Sequence, residues 1–205
     1  MVPEAFTYTN RLGRTFHLCA VNSRHGGRRL VMASSPRGEP LPALPAGWEV
    51  AESVNGTVSV RRAGNLRVTP QEIERVRAAL SAVPRLGAYQ VDARGQEIVV
   101  HEPQTPNPKD EVQRMAFEMG VAPAALQRTL DARPRRYGPV LRFVLSDAQA
   151  RLFTAHRWCW RGSVDGWLGL GDQSRLDELL TKYLPHLGRD SFYELSGHPI
   201  KPSTR

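Results

Sequence analysis

Residues 156–167 hold the densest chemistry in the chain: His156-Arg-Trp-Cys-Trp-Arg-Gly-Ser-Val-Asp-Gly-Trp167. Three of the four tryptophans and one of the two cysteines fall here, beside a histidine, two arginines and an aspartate. Side chains of these types could stack on bases, hold phosphate, ligate a metal or activate a nucleophile. Which of these is open depends on how the backbone distributes them.

Along an extended strand, successive side chains alternate between faces. His156, Trp158 and Trp160 then share one face with Leu152 and Thr154, while Phe153, Ala155, Arg157, Cys159 and Arg161 share the other. Because aromatic rings carry so much buried area, the first expectation is that the tryptophans are core residues. The alternative is recognition: Trp158 or Trp160 beside Arg157 and Arg161 supplies a stacking surface with flanking cations, as used on single-stranded nucleic acid. The pairs Arg61, Arg62 and Arg135, Arg136 are the further cations expected on such a basic surface. RNP-type aromatic spacing, a KH loop and zinc-finger spacing are all missing from the sequence.

Other chemistries are less well supported. His17 and Cys19 share a strand face, but His156 and Cys159, three apart, point to opposite faces, so a four-ligand zinc site is out of phase. No metal and no cofactor are expected. Cys159 would need activation by His156 or His186, and a strand cysteine between tryptophans reads as inert. Gly162-Ser-Val-Asp-Gly166 lacks the nucleophile-elbow spacing and reads as a turn. One enzyme alternative uses the C-terminal third: in a phosphodiester or other hydrolase, His156 or His186 would act as base, Arg189 would hold phosphate and Asp165 or Asp190 would bind a cation. The sequence contains neither a Walker loop nor a dinucleotide fingerprint.

The elements that must position these residues follow from pattern. Phe6–Thr9, Thr15–Val21 and Arg29–Met32 read as strands separated by Asn10-Arg-Leu-Gly13 and His25-Gly-Gly27, and Trp48–Glu52 and Thr57–Arg61 flank the hairpin turn Asn55-Gly56. Leu44-Pro-Ala-Gly-Trp-Glu49 with Asn55-Gly56 resembles the opening of a WW domain. Val58, Ser59 and Val60 then replace that family's paired aromatics, so no WW function is carried over.

Thr69-Pro-Gln-Glu72 predicts a capped helix with Ile73, Val76, Leu80 and Val83 on one face. A hairpin follows over Ala88–Val91 and Glu97–His101, then two short helices around Val112–Met119 and Pro123–Leu130. The longest hairpin is expected from Val140 to Trp160, and a C-terminal helix carries Leu176, Leu179, Leu180 and Tyr183, capped by Ser174 or Asp172.

The fold class is therefore α+β: an N-terminal antiparallel β-meander, then a mixed region with a long β-hairpin and a C-terminal helix. Residues 1–66 are expected to form a β-rich lobe and 67–195 an α+β lobe, with a linker at 102–108 and a flexible tail at 196–205. The formal net charge is +8 with 40% hydrophobic residues over 205 positions. That composition suits a folded, soluble, cytoplasmic protein with a basic surface and no membrane association. The expected function is binding of nucleic acid or an acidic protein through arginine-rich surface; the alternatives are the hydrolase and a structural assembly protein whose strand edges or aromatic patches pair with a partner.

Overall fold

The computed structural model describes residues 5–23, 26–104, 109–131, 134–159, 166–195 and 198–199. By its contacts the chain divides into two compact units, Met1–Arg67 and Val68–Arg205. No described helix is long and apolar enough to cross a membrane.

In the first unit, β1 (Thr7–Thr9), β2 (Thr15–Asn22) and β3 (Arg28–Ala33) form an antiparallel meander. The proline-rich stretch that follows is not merely a link: β4 (Glu39–Pro40) pairs with β2 beyond the end of β1, through Cys19↔Pro40 and Ala20↔Glu39. Strands β5 (Trp48–Glu52) and β6 (Val58–Arg62) make a separate hairpin. Asn10 ties the two sheets together. It is buried, its Nδ2 donates to the Gly56 carbonyl at 2.6 Å, and its Oδ1 accepts from the backbone N–H groups of Leu12 and Arg14. Gly56 stands at φ +73°, where an added Cβ would lie 2.7 Å from Leu12 Cδ1, so glycine lets the two turns close. Beside them the Tyr8 hydroxyl donates to Glu52 at 3.0 Å.

The second unit opens with α1 (Pro70–Ser81), whose capping box forms as the sequence predicts. Thr69 Oγ1 accepts from the Glu72 N–H, and the Glu72 carboxylate accepts from the Thr69 N–H. Ile73, Val76 and Leu80 are its buried stripe. After a 3₁₀ turn at Pro84–Leu86 come β7 (Gln90–Arg94), β8 (Glu97–Gln104), α2 (Lys109–Glu118), α3 (Pro123–Asp131), β9 (Arg136–Asp147), β10 (Leu152–Cys159), β11 (Gly166–Gly169), β12 (Ser174–Arg175), α4 (Leu176–Tyr183), α5 (Asp190–Tyr193) and β13 (His198–Pro199). The sheet is antiparallel in the order β13-β11-β10-β9-β8-β7, with β12 pairing to β10 beside β11.

Cross-strand register sorts the side chains into two faces. Ala93, Ile98, Phe143 and Ala155 stand in one row, and Leu145 and Phe153 lie beside them, all packed under α1 and α4. Ile98, Phe143, Leu145, Phe153 and Ala155 are buried there. A bulge between Val100 and His101 lets β9 bury both Val140 and Leu141 before regular alternation resumes.

Four sequence expectations change. Glu102–Gln104 are strand and not linker: they continue β8 and pair with Gly138, Tyr137 and Arg136, while 105–108 lie outside the described residues. Part of the tail is strand, since β13 pairs with β11. Neither Ser174 nor Asp172 caps α4: Arg175 is the N-cap without a side-chain bond, and Ser174 is taken into the β10 edge with its hydroxyl directed to Glu178. The core is built from phenylalanine, leucine, isoleucine and valine, whereas Trp48, Trp158 and Trp167 are only half-buried.

Candidate binding site on the helix-free face of the sheet

The face of the second unit's sheet that turns away from α1 and α4 carries the polar partners of the core rows. One such row reads Asp92, Val99, Arg142, His156, Gly169 across five strands. Arg142 organises it. Its Nε donates to His156 Nδ1 at 3.0 Å and its Nη1 donates to Glu97 Oε1 at 2.9 Å. Gly169 leaves its place in the row empty of side chain, and the Arg142 guanidinium lies 4.5 Å from the centre of the Trp167 ring. Trp167 is the direct cross-strand neighbour of Trp158, and the two rings meet edge to face with centroids 5.1 Å apart.

The electrostatics fix the state of the histidine. Burial first, and the adjacent Arg142 charge second, push His156 down to about 4 from the usual 6.5. Imidazole is therefore neutral at pH 7, and with Nδ1 accepting from Arg142 its proton sits on Nε2. It is a hydrogen-bond donor rather than a poised base. Burial also lowers Arg142, with Glu97 opposing that shift and restoring part of the lost solvation. His101 lies on the same face, and burial lowers its pKa while Asp92 partly offsets the effect. Its Nδ1 has no hydrogen-bond partner among the described residues.

Of the residues singled out from the sequence, Trp158 falls on this face. Arg157 does not: it stands in the row of Val91, Val100, Leu141 and Leu168 on the helix side, where its Nε donates to the Leu195 carbonyl at 3.2 Å. Arg135 and Arg136 are exposed at the start of β9, the same end of the sheet at which β10 finishes and β11 begins. Arg61 and Arg62 belong to the first unit, where Arg61 pairs with Glu49 at 2.6 Å and Arg62 lies 4.7 Å from the Trp48 ring centre. Trp160, Arg161 and Asp165 lie outside the described residues. Comparison with protein families, curated proteins and solved structures gave no match.

Of the described residues proposed for hydrolysis, His186, Arg189 and Asp190 stand close together at the turn from α4 into α5, and His156 stands apart from them. His156 is on the helix-free face, whereas His186 follows α4 on the other side and bonds Ser191 at 3.1 Å. Among the described residues no three His, Cys, Asp or Glu side chains group to hold a metal ion.

Sequence reading missed Glu97, Arg142 and Trp167. A signal for Arg142 existed, since it is the one charge inside the apolar run Val140-Leu-Arg-Phe-Val-Leu145. Alternation puts it opposite Leu141 and Phe143, but the sequence does not say which strands lie beside it.

Proposed function

We propose that this protein is a binding module, and that single-stranded nucleic acid is its ligand, laid across the helix-free face at the Trp158–Trp167 end of the sheet. The observation that carries this reading is the aromatic pair with its attached cation on the sheet face turned away from α1 and α4. Half-buried indoles held at fixed angles by a cross-strand contact offer π surfaces to unpaired bases, and every base has a face to stack. The neutral His156 supplies a donor from Nε2, and Arg135 and Arg136 at the same sheet end supply charge for phosphates. The net charge of +8 favours the same class of ligand.

The test is fluorescence anisotropy with short labelled single-stranded RNA and DNA at about 50 and about 200 mM salt. Affinity should fall steeply with salt. Trp158→Ala and Trp167→Ala should each weaken binding by roughly 5- to 150-fold, the range for loss of one stacked base. Arg135→Ala and Arg136→Ala should each flatten the logarithmic salt slope by about 1. Absence of binding to either polymer at the lower salt, or binding indifferent to both tryptophans, would remove the reading.

A further inference from the structure

We propose that the cleft between α1 and α4 binds a single-chain amphiphile with an anionic head, of which a medium-chain fatty carboxylate is the simplest. The inference stands on residues that the nucleic-acid reading does not use. The two helices lie side by side and run the same way. Arg75 meets Asp177 at 3.4 Å near their N-terminal ends, and Arg85, just past the end of α1, reaches carbonyls at and beyond the end of α4. Between these ties lies a cleft of about 420 Å³, within the range of small-molecule sites.

Its walls follow from helical spacing. Ala79 and Val83 lie four apart beside the buried stripe of α1, and Leu180 and Leu184, also four apart and themselves buried, face them from α4, with Pro185 at the end. Ala79 and Thr181 are small, and long side chains there would fill the space. Thr181 brings no free donor, because its hydroxyl donates to the Asp177 carbonyl at 2.9 Å. What is left is an apolar channel about 10 Å long from the level of Arg75 to Ala82, at about 1.5 Å per residue.

Charge enters this channel at one end only. Among the described residues no acidic side chain lines the cleft, whereas Arg85 and Arg189 both line it towards Pro185. Neither arginine takes part in an ion pair among the described residues. The C-terminal end of α4 would by itself repel an anion, but Arg85 covers it. Its Nε donates to Leu187 at 3.3 Å and its Nη2 to Leu184 and Pro185 at 3.2 and 2.8 Å, all on carbonyl oxygens. Nη1 and the exposed Arg189 guanidinium face a carboxylate placed there. A polyanion calls for cations along its length, and an extended peptide calls for partners to its backbone groups; Ala79, Val83, Leu180 and Leu184 supply neither. An alkyl chain needs only the apolar wall, so the tail runs towards Arg75–Asp177 and the head stays at the arginines.

Calorimetric titration of the full chain with decanoate below its micelle concentration tests the proposal, with amide NMR shifts to locate the site. Saturable binding with shifts centred on Ala79, Val83 and Thr181 is expected. Octanoate, shorter by two methylenes, should bind about 5- to 15-fold more weakly, at up to about 0.8 kcal/mol per buried CH₂. Decyltrimethylammonium, with the same tail and the opposite charge, should show no saturable binding. Ala79→Leu fills the channel and Arg189→Glu reverses the charge at its head; each should weaken decanoate about tenfold or more. Both positions reach solvent, and unchanged circular dichroism would verify that each variant is folded. Failure of decanoate to bind, equal binding of decyltrimethylammonium, or an affinity unchanged in either variant would overturn the proposal. So would a wild-type dimer that Ala79→Leu abolishes, which would assign the cleft to a second copy.

Discussion

Acidification should cost this protein stability through His156. The folded imidazole titrates at about 4, because burial and the neighbouring Arg142 charge both oppose its protonation, whereas the unfolded chain takes up that proton near 6.5. Between these values the unfolded state binds more protons than the folded one. Stability attributable to the neutral histidine is thus complete above about pH 6.5 and falls as the pH drops towards 4. The gap sets a ceiling of about 3 kcal/mol. The site is partly open to solvent, which screens the Arg142 charge, so a loss of about 1–2 kcal/mol is expected.

The assay is urea denaturation at a series of pH values from about 7 to about 4.5, run on the wild type and on His156→Gln. Glutamine offers Arg142 an amide oxygen in place of Nδ1 and cannot become charged. His101 titrates in both proteins and so cancels in the difference. The variant should lose less stability on acidification by about 1–2 kcal/mol. Direct observation of the ring by NMR should place its midpoint near 4. An imidazole titrating near 6.5, or identical acid dependence in the two proteins, would refute the reasoning.

Three further outcomes are expected. Arg151→Ala removes the cation from the buried Glu72 carboxylate and should cost about 2–3 kcal/mol by chemical denaturation at neutral pH. Burial opposes the charged Glu72, yet the bonds from Arg151 and the Thr69 backbone outweigh it and hold the carboxyl below its usual range, so this cost should shrink as pH falls below about 4.5. Asn10→Ala leaves the Gly56 carbonyl and the N–H groups of Leu12 and Arg14 without that side chain, and about 2–3 kcal/mol of protection should disappear from amide exchange in Thr7–Arg62. Phe143→Ala should cost about 3–5 kcal/mol in a denaturation experiment and Trp158→Ala less than about 2, the reverse of what a tryptophan core would give.

What could be read from the sequence was local. Thr69 and Glu72 are three apart, so their reciprocal cap is written in adjacent letters, and Asn55-Gly56 closes its hairpin for the same reason. Strand alternation correctly separated His156 and Trp158 from Phe153 and Arg157. It could not say which side the helices cover, because each face of β10 mixes apolar and polar residues. Packing settled that: Phe143 and Phe153 fill the space under α1 and α4, and the indoles fall on the other face. Arg142 gains Glu97 from 45 positions away and His156 from 14, both through register, which no motif records. Ser174 looked like a helix cap, but the unpaired edge of β10 claims its backbone.

Glu72 belongs to two pieces of structure that come into being at different times. Its exchange with Thr69 is complete as soon as the first turn of α1 exists, whereas its bond to Arg151 spans 79 residues. As the chain is made from the N-terminus, the helix can therefore start correctly long before it has a sheet to lie on. Arg151 arrives in the turn between β9 and β10, held at φ 54° where few side chains sit, so the long-range contact joins two parts already shaped by local rules. Closing a long loop between such prepared ends adds little entropy cost for its length. A chain stopped short of residue 151 has the cap but not the latch: α1 and the strands β7 to β9 would be made, and Glu72 would still wait for its cation.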